Sequence, residues 1–158
     1  FFQAEDGIRD FCLSRGLGDV YKRQRLDALQ ARFLSRKINV YQNAIKRRIA
    51  IAMRYSNEIY NPKITLPTCP HDGSHVFHLF VVRVTDRNDF MDFLEANGVG
   101  SLVHYPIPPH KQKALQNFNN LNLPITACYH KEVVSIPLYP SLKDSEVQHI
   151  IDVLNAYR

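Results

Sequence analysis

The residues of this chain whose types and spacing could do chemistry are its histidines, its cysteines and one proline-rich loop. Of the seven histidines, His75 and His78 lie three apart in a stretch that reads as strand, where an odd separation sends side chains to opposite faces. A metal shared between them is not expected. His104 and His110 bracket three prolines with no cysteine or carboxylate between them, which leaves a zinc site short of ligands. Cys12, Cys69 and Cys128 form no CxxC pair and are odd in number. They read as reduced thiols rather than as a disulfide framework or a zinc ribbon. His71 and His130 stand near Cys69 and Cys128 in sequence, but nucleophile and base usually come from distant segments, and neither a nucleophile elbow nor a glycine-rich phosphate loop occurs. Gly98 and Gly100 follow a helical pattern and precede a strand pattern, the reverse of a dinucleotide-binding turn, and read as a helix stop.

What remains is HYPIPPH (104–110). Pro106, Pro108 and Pro109 fix the backbone around His104 and Tyr105, so two polar aromatic side chains are held where the chain cannot relax. Loops at strand ends are where rigid scaffolds place ligand contacts. A second reading of the same residues is purely structural, with Tyr105 and the prolines packed on the last helix and His104 bonded to a backbone carbonyl.

The elements that must position this loop follow from periodicity. Leu26, Leu29, Phe33, Ile38, Tyr41, Ile45, Ile49, Ala52 and Ile59 recur by threes and fours, which predicts one long helix or two in series, with a break at residues 37–39 where the stripe shifts. Asn61-Pro62 ends it. A short strand is expected at 63–66, turn material at 67–74 and a central, doubly covered strand at 76–84. Thr85 or Asp86 should cap a helix reaching Asn97-Gly98. A strand at 99–103, the loop, a short helix over 111–118, a helix from Pro124 to about Lys131 and a strand at 133–136 complete the middle. Ser141, with Asp144 three residues on, should begin a last helix burying Val147, Ile150, Ile151 and Leu154. The order predicts a small α/β fold, a short sheet covered by helices.

Composition sets the outer bounds. With 158 residues, 45% hydrophobic and no Trp, the chain fits one globular domain and excludes low-complexity disorder over most of its length. It has no apolar run near the ~20 residues that span a bilayer, and no signal peptide is legible, so no membrane partner and a cytoplasmic location are expected. The net charge of +5 belongs to residues 25–158, because the acids and bases of residues 1–24 cancel. Eight basic residues stand between Arg25 and Arg54 against Asp27 alone. Such a run suits a solvated helix face, a phosphorylated small molecule or nucleic acid, and a stand-alone polyanion-binding module is the rival function.

Residues 1–24 share neither helical nor strand periodicity and resemble translated sequencing-adapter sequence. They are expected to be a non-native leader, the alternative being a flexible arm, and the native protein is expected to continue upstream of Arg25. Beyond them, RLDALQARFL (25–34), KRRIAIAMRY (46–55), HVFHLFVVRV (75–84), GVGSLVHYPIPPH (98–110) and SIPLYPSLKDSEVQHIIDVL (135–154) together resemble the C-terminal portion of the DegT/StrS sugar aminotransferases. That resemblance implies the small C-terminal domain of a fold-type I aminotransferase at 61–158, preceded by a connecting helix or two at 25–60. It implies an enzyme dependent on pyridoxal 5′-phosphate (PLP) that moves an amino group from glutamate to a nucleotide-linked keto-sugar, as a homodimer. The loop is most similar to members acting on the 3-keto group of dTDP-6-deoxyhexoses; a dehydratase branch of the family is the alternative. Carried over residue by residue, Arg25, His104, Tyr105 and His110 are expected to contact substrate, Arg25 with a guanidinium suited to phosphate or carboxylate. Arg23 and Gln24 stand where the family has an asparagine and a small residue, so that cofactor contact is absent. No lysine here matches the family's Schiff-base motif, so this chain is expected to be inert alone, with the cofactor held elsewhere.

Overall fold

The computed structural model describes residues 26–70 and 72–158. Arg25, His71, Cys12 and the expected leader at 1–24 lie outside the described residues. The chain divides into two compact units, Phe1–Gln42 and Asn43–Arg158. Among the described residues no helix is long and apolar enough to cross a membrane.

In the first unit, the described residues form the beginning of helix α1 (Ala28–Glu58, 31 residues). Asp27, the lone acid of the basic stretch, starts it: its carboxylate accepts the Leu29 N–H at 2.7 Å, as an N-cap does. The expected break at 37–39 is absent, and the helix is continuous. Neither glycine nor proline occurs within it, and a shifted hydrophobic stripe changes the face presented, not the hydrogen-bond ladder. Leu29, Phe33, Ile38, Val40 and Tyr41 are all more than half exposed. They amount to an exposed apolar face among the described residues.

In the second unit the same helix buries Ile51, Ala52 and Tyr55, with Ile59 just beyond its end. The sheet beneath has two strands, β1 (Phe80–Arg83) and β2 (Val133–Ile136), antiparallel with Phe80 opposite Ile136 and Arg83 opposite Val133. Single bridges extend it on both sides, Thr65 to Arg83 and Leu102 to Ser135. β1 is therefore interior, as expected, but the strands predicted at 63–66 and 99–103 reduce to one paired residue each. Pro106, Pro108 and Pro109 follow Leu102 closely and cannot donate to a ladder.

β1 is also shorter than the predicted 76–84, because the backbone leaves the extended conformation at Phe77. Phe77 sits at φ 46°, a left-handed conformation that a bulky residue rarely adopts, and its N–H is accepted by His75 Nδ1 at 2.9 Å. Arg48 Nη1 then donates to the carbonyls of Phe77, His78 and Leu138 at 3.2, 3.0 and 3.1 Å. The guanidinium thus satisfies carbonyls of the segment that the left-handed turn at Phe77 takes out of the extended run. Arg47 donates to the Leu142 carbonyl and to Asp144, and Arg54 to Glu58 and Gln148. Three of the eight basic residues thus bind this unit's own acceptors, a use that the charge pattern had not suggested.

Three helices follow. Asp86 caps α2 (Arg87–Ala96) by accepting from the Asp89 N–H, and Gly98 at φ 73° ends it, both as predicted. The expected helix at 111–118 is two 3-10 turns, Pro109–Lys111 and Lys113–Phe118. α3 (Pro124–Glu132) begins on its proline. α4 (Asp144–Ala156) starts two residues later than predicted from Ser141: Glu146 accepts the Lys143 N–H at 2.7 Å, while Leu142 before the cap and Val147 in the first turn are both buried, in the manner of a hydrophobic staple. Val147, Ile150, Ile151 and Leu154 face the core as expected. The ends of α1 and α4 are tied reciprocally. Asn155 Nδ2 donates to the Glu58 carbonyl while its Oδ1 accepts the Tyr60 N–H, and buried Asn61 donates to the carbonyls of Leu154 and Tyr157.

Ion pairs give this unit a sign to its pH dependence. The Arg47 guanidinium holds the Asp144 carboxyl below its usual range. The Cys128 thiol and then Arg83 do the same for Glu132. A carboxyl depressed in the folded state contributes stability above its ordinary pKa and loses it as pH falls through the depressed value. The contribution of these carboxylates to the urea midpoint is therefore expected to be full above about pH 5 and to be lost below about pH 4.5, with a flatter acid limb in Glu132→Gln. An unchanged limb in that variant would refute the assignment. Tyr55 donates its hydroxyl to the Pro137 carbonyl at 2.9 Å, so Tyr55→Phe should cost about 1 kcal/mol, whereas Phe80→Ala should cost ~3–5 kcal/mol, both read by urea unfolding. The chain expressed alone is expected to bind an apolar dye and self-associate through the face at 29–41, and Phe33→Glu with Ile38→Glu should suppress both; a dye-silent monomer from the unaltered chain would contradict this.

Candidate functional site

The loop after Leu102 is anchored from two directions. His104 Nδ1 lies 2.9 Å from the hydroxyl of Ser135 on β2. The next residue's carbonyl, that of Tyr105, accepts from His130 Nδ1 at 2.6 Å, and His130 stands in the last turn of α3. The His104 and Tyr105 rings meet edge-on with centroids 5.7 Å apart. Tyr105 is 68% exposed, so its phenol is presented outward while its backbone is fixed.

The structural alternative for this loop is corrected on both counts. Tyr105 is not packed on α4, and His104 pairs with a hydroxyl instead of a carbonyl. A carbonyl is satisfied in the loop, but by His130. His110 is 7% exposed within the turn Pro109–Lys111 and presents little surface to a ligand in this chain. Among the expected site residues, the structure brings His104 and Tyr105 together, leaves His110 buried farther along the loop, and does not describe Arg25.

The end of α3 that carries His130 is itself held from β1 and α2. Arg83 makes a forked pair with Glu132 at 2.7 and 3.1 Å and lies over the Tyr129 ring, 4.1 Å from its centroid, a stacking that suits a planar guanidinium. Arg87 donates to the His130 carbonyl at 2.6 Å. Cys128 donates its thiol proton to Glu132 at 2.9 Å, and this hydrogen bond to a carboxylate pushes the thiol pKa up. Cys128 is therefore the opposite of an activated nucleophile.

A cavity of about 410 Å³ opens beside His104, lined among others by Leu79, Leu102, Ser135 and Tyr139. It is mostly apolar with His104 at its polar side, the composition usual for small-molecule sites. A second cavity of about 480 Å³ is lined by Ser145, Glu146 and His149 among others; there Glu146 caps α4 and His149 is bonded to the Asn97 carbonyl. Among the described residues no three histidine, cysteine or carboxylate side chains gather as a metal site. Every described lysine is exposed, so none is desolvated beside a carboxylate as a PLP-bearing lysine must be. The described residues do not fit that cofactor by themselves.

Ser135 was not singled out from the sequence, and His130 was weighed only as a neighbour of Cys128. For Ser135 a signal existed: it is the polar interruption in VVSI, and a hydroxyl inside a buried strand needs a partner. His130 gave none, because its acceptor lies 25 residues away along the chain.

This scaffold has counterparts among known proteins. The model of the DegT/DnrJ/EryC1/StrS aminotransferase family matches residues 13–155. The dTDP-3-amino-3,6-dideoxy-alpha-D-galactopyranose transaminase of Aneurinibacillus thermoaerophilus is 44% identical over 133 residues, covering 84% of this chain and 37% of the relative. The solved structure of S. venezuelae DesV matches with TM-score 0.78 at 31% identity over 83% of this chain and 36% of its own. NtdA from Bacillus subtilis, with bound cofactor PMP, matches with TM-score 0.64 at 33% identity, over 70% of this chain and 27% of its own. The chain therefore spans a little over a third of the length of the curated relative it matches. Five separate segments carried the resemblance in the sequence, the fold reproduces that of family members, and on these grounds the chain belongs to the DegT/DnrJ/EryC1/StrS aminotransferase family.

Proposed function

We propose that this chain supplies the C-terminal portion of a PLP-dependent aminotransferase that moves an amino group from glutamate to a nucleotide-linked keto-6-deoxyhexose, of the dTDP-3-keto type, for polysaccharide or glycan biosynthesis. The observation that carries this is the anchored His104–Tyr105 pair: an imidazole that is bonded to Ser135 and lines an apolar cavity, beside an exposed phenol whose backbone carbonyl is held by His130. Hydroxyl-rich ligands are recognised by such donors and acceptors held without freedom to relax. The name and 44% identity of the Aneurinibacillus relative support the sugar class.

PLP supplies the electron sink for amino transfer in such enzymes. With no fitting lysine among the described residues, we assign its attachment to a part of the protein outside them. The roles left to this chain are binding and orientation: His104 and Tyr105 toward the sugar, His110 behind them in the same loop, and Arg25 toward a phosphate or carboxylate. We place the intact enzyme in the cytoplasm as a homodimer, so that the exposed face at 29–41 and the exposed loop each meet other parts of the assembly. The binding of Arg47, Arg48 and Arg54 to acceptors inside residues 43–158 disfavours the polyanion-binding alternative, because those guanidiniums are not free for phosphates.

The test begins with the continuous reading frame that contains the codon for Arg25. The protein it encodes, supplied with PLP, glutamate and a dTDP-3-keto-6-deoxyhexose, should form the amino sugar. His104→Ala and Tyr105→Ala should each lower kcat/KM by about 10- to 100-fold, the loss of one or two hydrogen bonds to a polar ligand, and the 158-residue chain alone should show no turnover. A frame without a PLP-bearing lysine, or full activity in both variants, would overturn the reading.

A further inference from the structure

We propose that Ser135 is a positioning residue for His104, donating its hydroxyl to Nδ1 and so holding the imidazole in the tautomer that presents an Nε2–H donor. The proposal rests on the assignment of His104 to substrate binding made above, and it adds which proton His104 offers and what places it there.

Ser135 is well suited to this by its position in the sheet. It lies opposite Val81 in the β1–β2 register, and on its other side it exchanges two backbone hydrogen bonds with Leu102, at 2.8 and 3.1 Å. With both ladders made, the only freedom left to its hydroxyl is one side-chain torsion and the O–H rotor. Side chains alternate along a strand, so Ser135 projects from the face opposite to Val134 and Ile136, which are 0% and 3% exposed in the core. It lines the same cavity as His104.

The direction of the bond follows from satisfaction. Ser135 is 5% exposed, and a buried hydroxyl proton needs an acceptor. His104 Nδ1 at 2.9 Å is the acceptor recorded for it among the described residues. A neutral imidazole that accepts at Nδ1 carries its proton on Nε2, since the bond made by one ring nitrogen sets the state of the other. Nε2–H is then a donor, matched to a carbonyl, hydroxyl or phosphate oxygen of a nucleotide sugar. The bond from the His130 ring to the Tyr105 carbonyl keeps the loop from swinging His104 away from Ser135.

The test is the tautomer itself, read in the full chain with only histidines labelled with 15N, at pH 8 where an imidazole is ordinarily neutral. The His104 signals are assigned by their loss in His104→Gln. The expected result is a protonated Nε2 and a bare Nδ1, averaging toward a mixture in Ser135→Ala and returning in Ser135→Thr, which keeps the hydroxyl. Unchanged His104 shifts in Ser135→Ala, or a protonated Nδ1 in the unaltered chain, would overturn the proposal. In the intact enzyme Ser135→Ala should raise KM for the nucleotide sugar about tenfold with kcat nearly unchanged, and Ser135→Thr should restore it; equal KM in Ser135→Ala and the unaltered enzyme would also overturn it. If the tautomer responds as expected but His104→Ala leaves KM unchanged, the assignment of His104 to substrate fails, and with it the functional part of the Ser135 proposal, while the hydrogen bond stands.

Discussion

Two strands of four residues have too little face to hold together in water, and the second unit depends on how α1 compensates for that. Tyr55 enters the core with its ring edge-on to Phe80 at 5.2 Å and its hydroxyl on the Pro137 carbonyl. Burial raises the Tyr55 phenol's pKa well above its ordinary value, so the group stays a neutral donor. Two turns earlier Arg48 gathers carbonyls from the segments leading into β1 and out of β2. Those peptide groups would otherwise be half-buried without partners, which is costly. A single helix face thus supplies both the apolar cover for the strands and the donors for the chain that enters and leaves them.

The site inherits its order from this arrangement. β2 is fixed by β1 on one side, so Ser135 is fixed, and through it His104. α3 is fixed to β1 and α2 by Arg83 and Arg87, so His130 is fixed, and through it the backbone at Tyr105. The imidazole of His104 and the backbone carrying the exposed Tyr105 phenol are therefore each held by hydrogen bonds that lead back to the sheet and α3. Such support is what lets a loop present side chains with the small positional tolerance that recognition demands. The C-terminal end is closed in the same spirit: Tyr157 packs against Phe90 and Phe93 and donates to Asp89, with burial and that hydrogen bond pushing its phenol up to about 12.

The two parts of α1 divide the labour between self-sufficiency and dependence. Its later turns are saturated by contacts within residues 43–158, whereas its first turns show an apolar face to solvent. A chain that spans a little over a third of its curated relative, and carries no buried lysine among its described residues, is consistent with one part of a larger active enzyme.

Periodicity and turn chemistry in the sequence by themselves determined α2 with its Asp86 cap and Gly98 stop, the start of α3 on Pro124, β2 and the buried face of α4. Each of these depends on neighbours within a turn or two. The five matching segments likewise determined the family, and the proline-rich loop marked His104 and Tyr105. Only the tertiary structure decided what crosses long stretches of chain. Arg48 reaches carbonyls 29, 30 and 90 residues away, so that part of an apparently solvated basic run serves as internal fastening. Ser135 meets His104 across 31 residues. A guanidinium or hydroxyl has the same letter whether it faces water or a carbonyl, and which it faces is set by packing that no local pattern records.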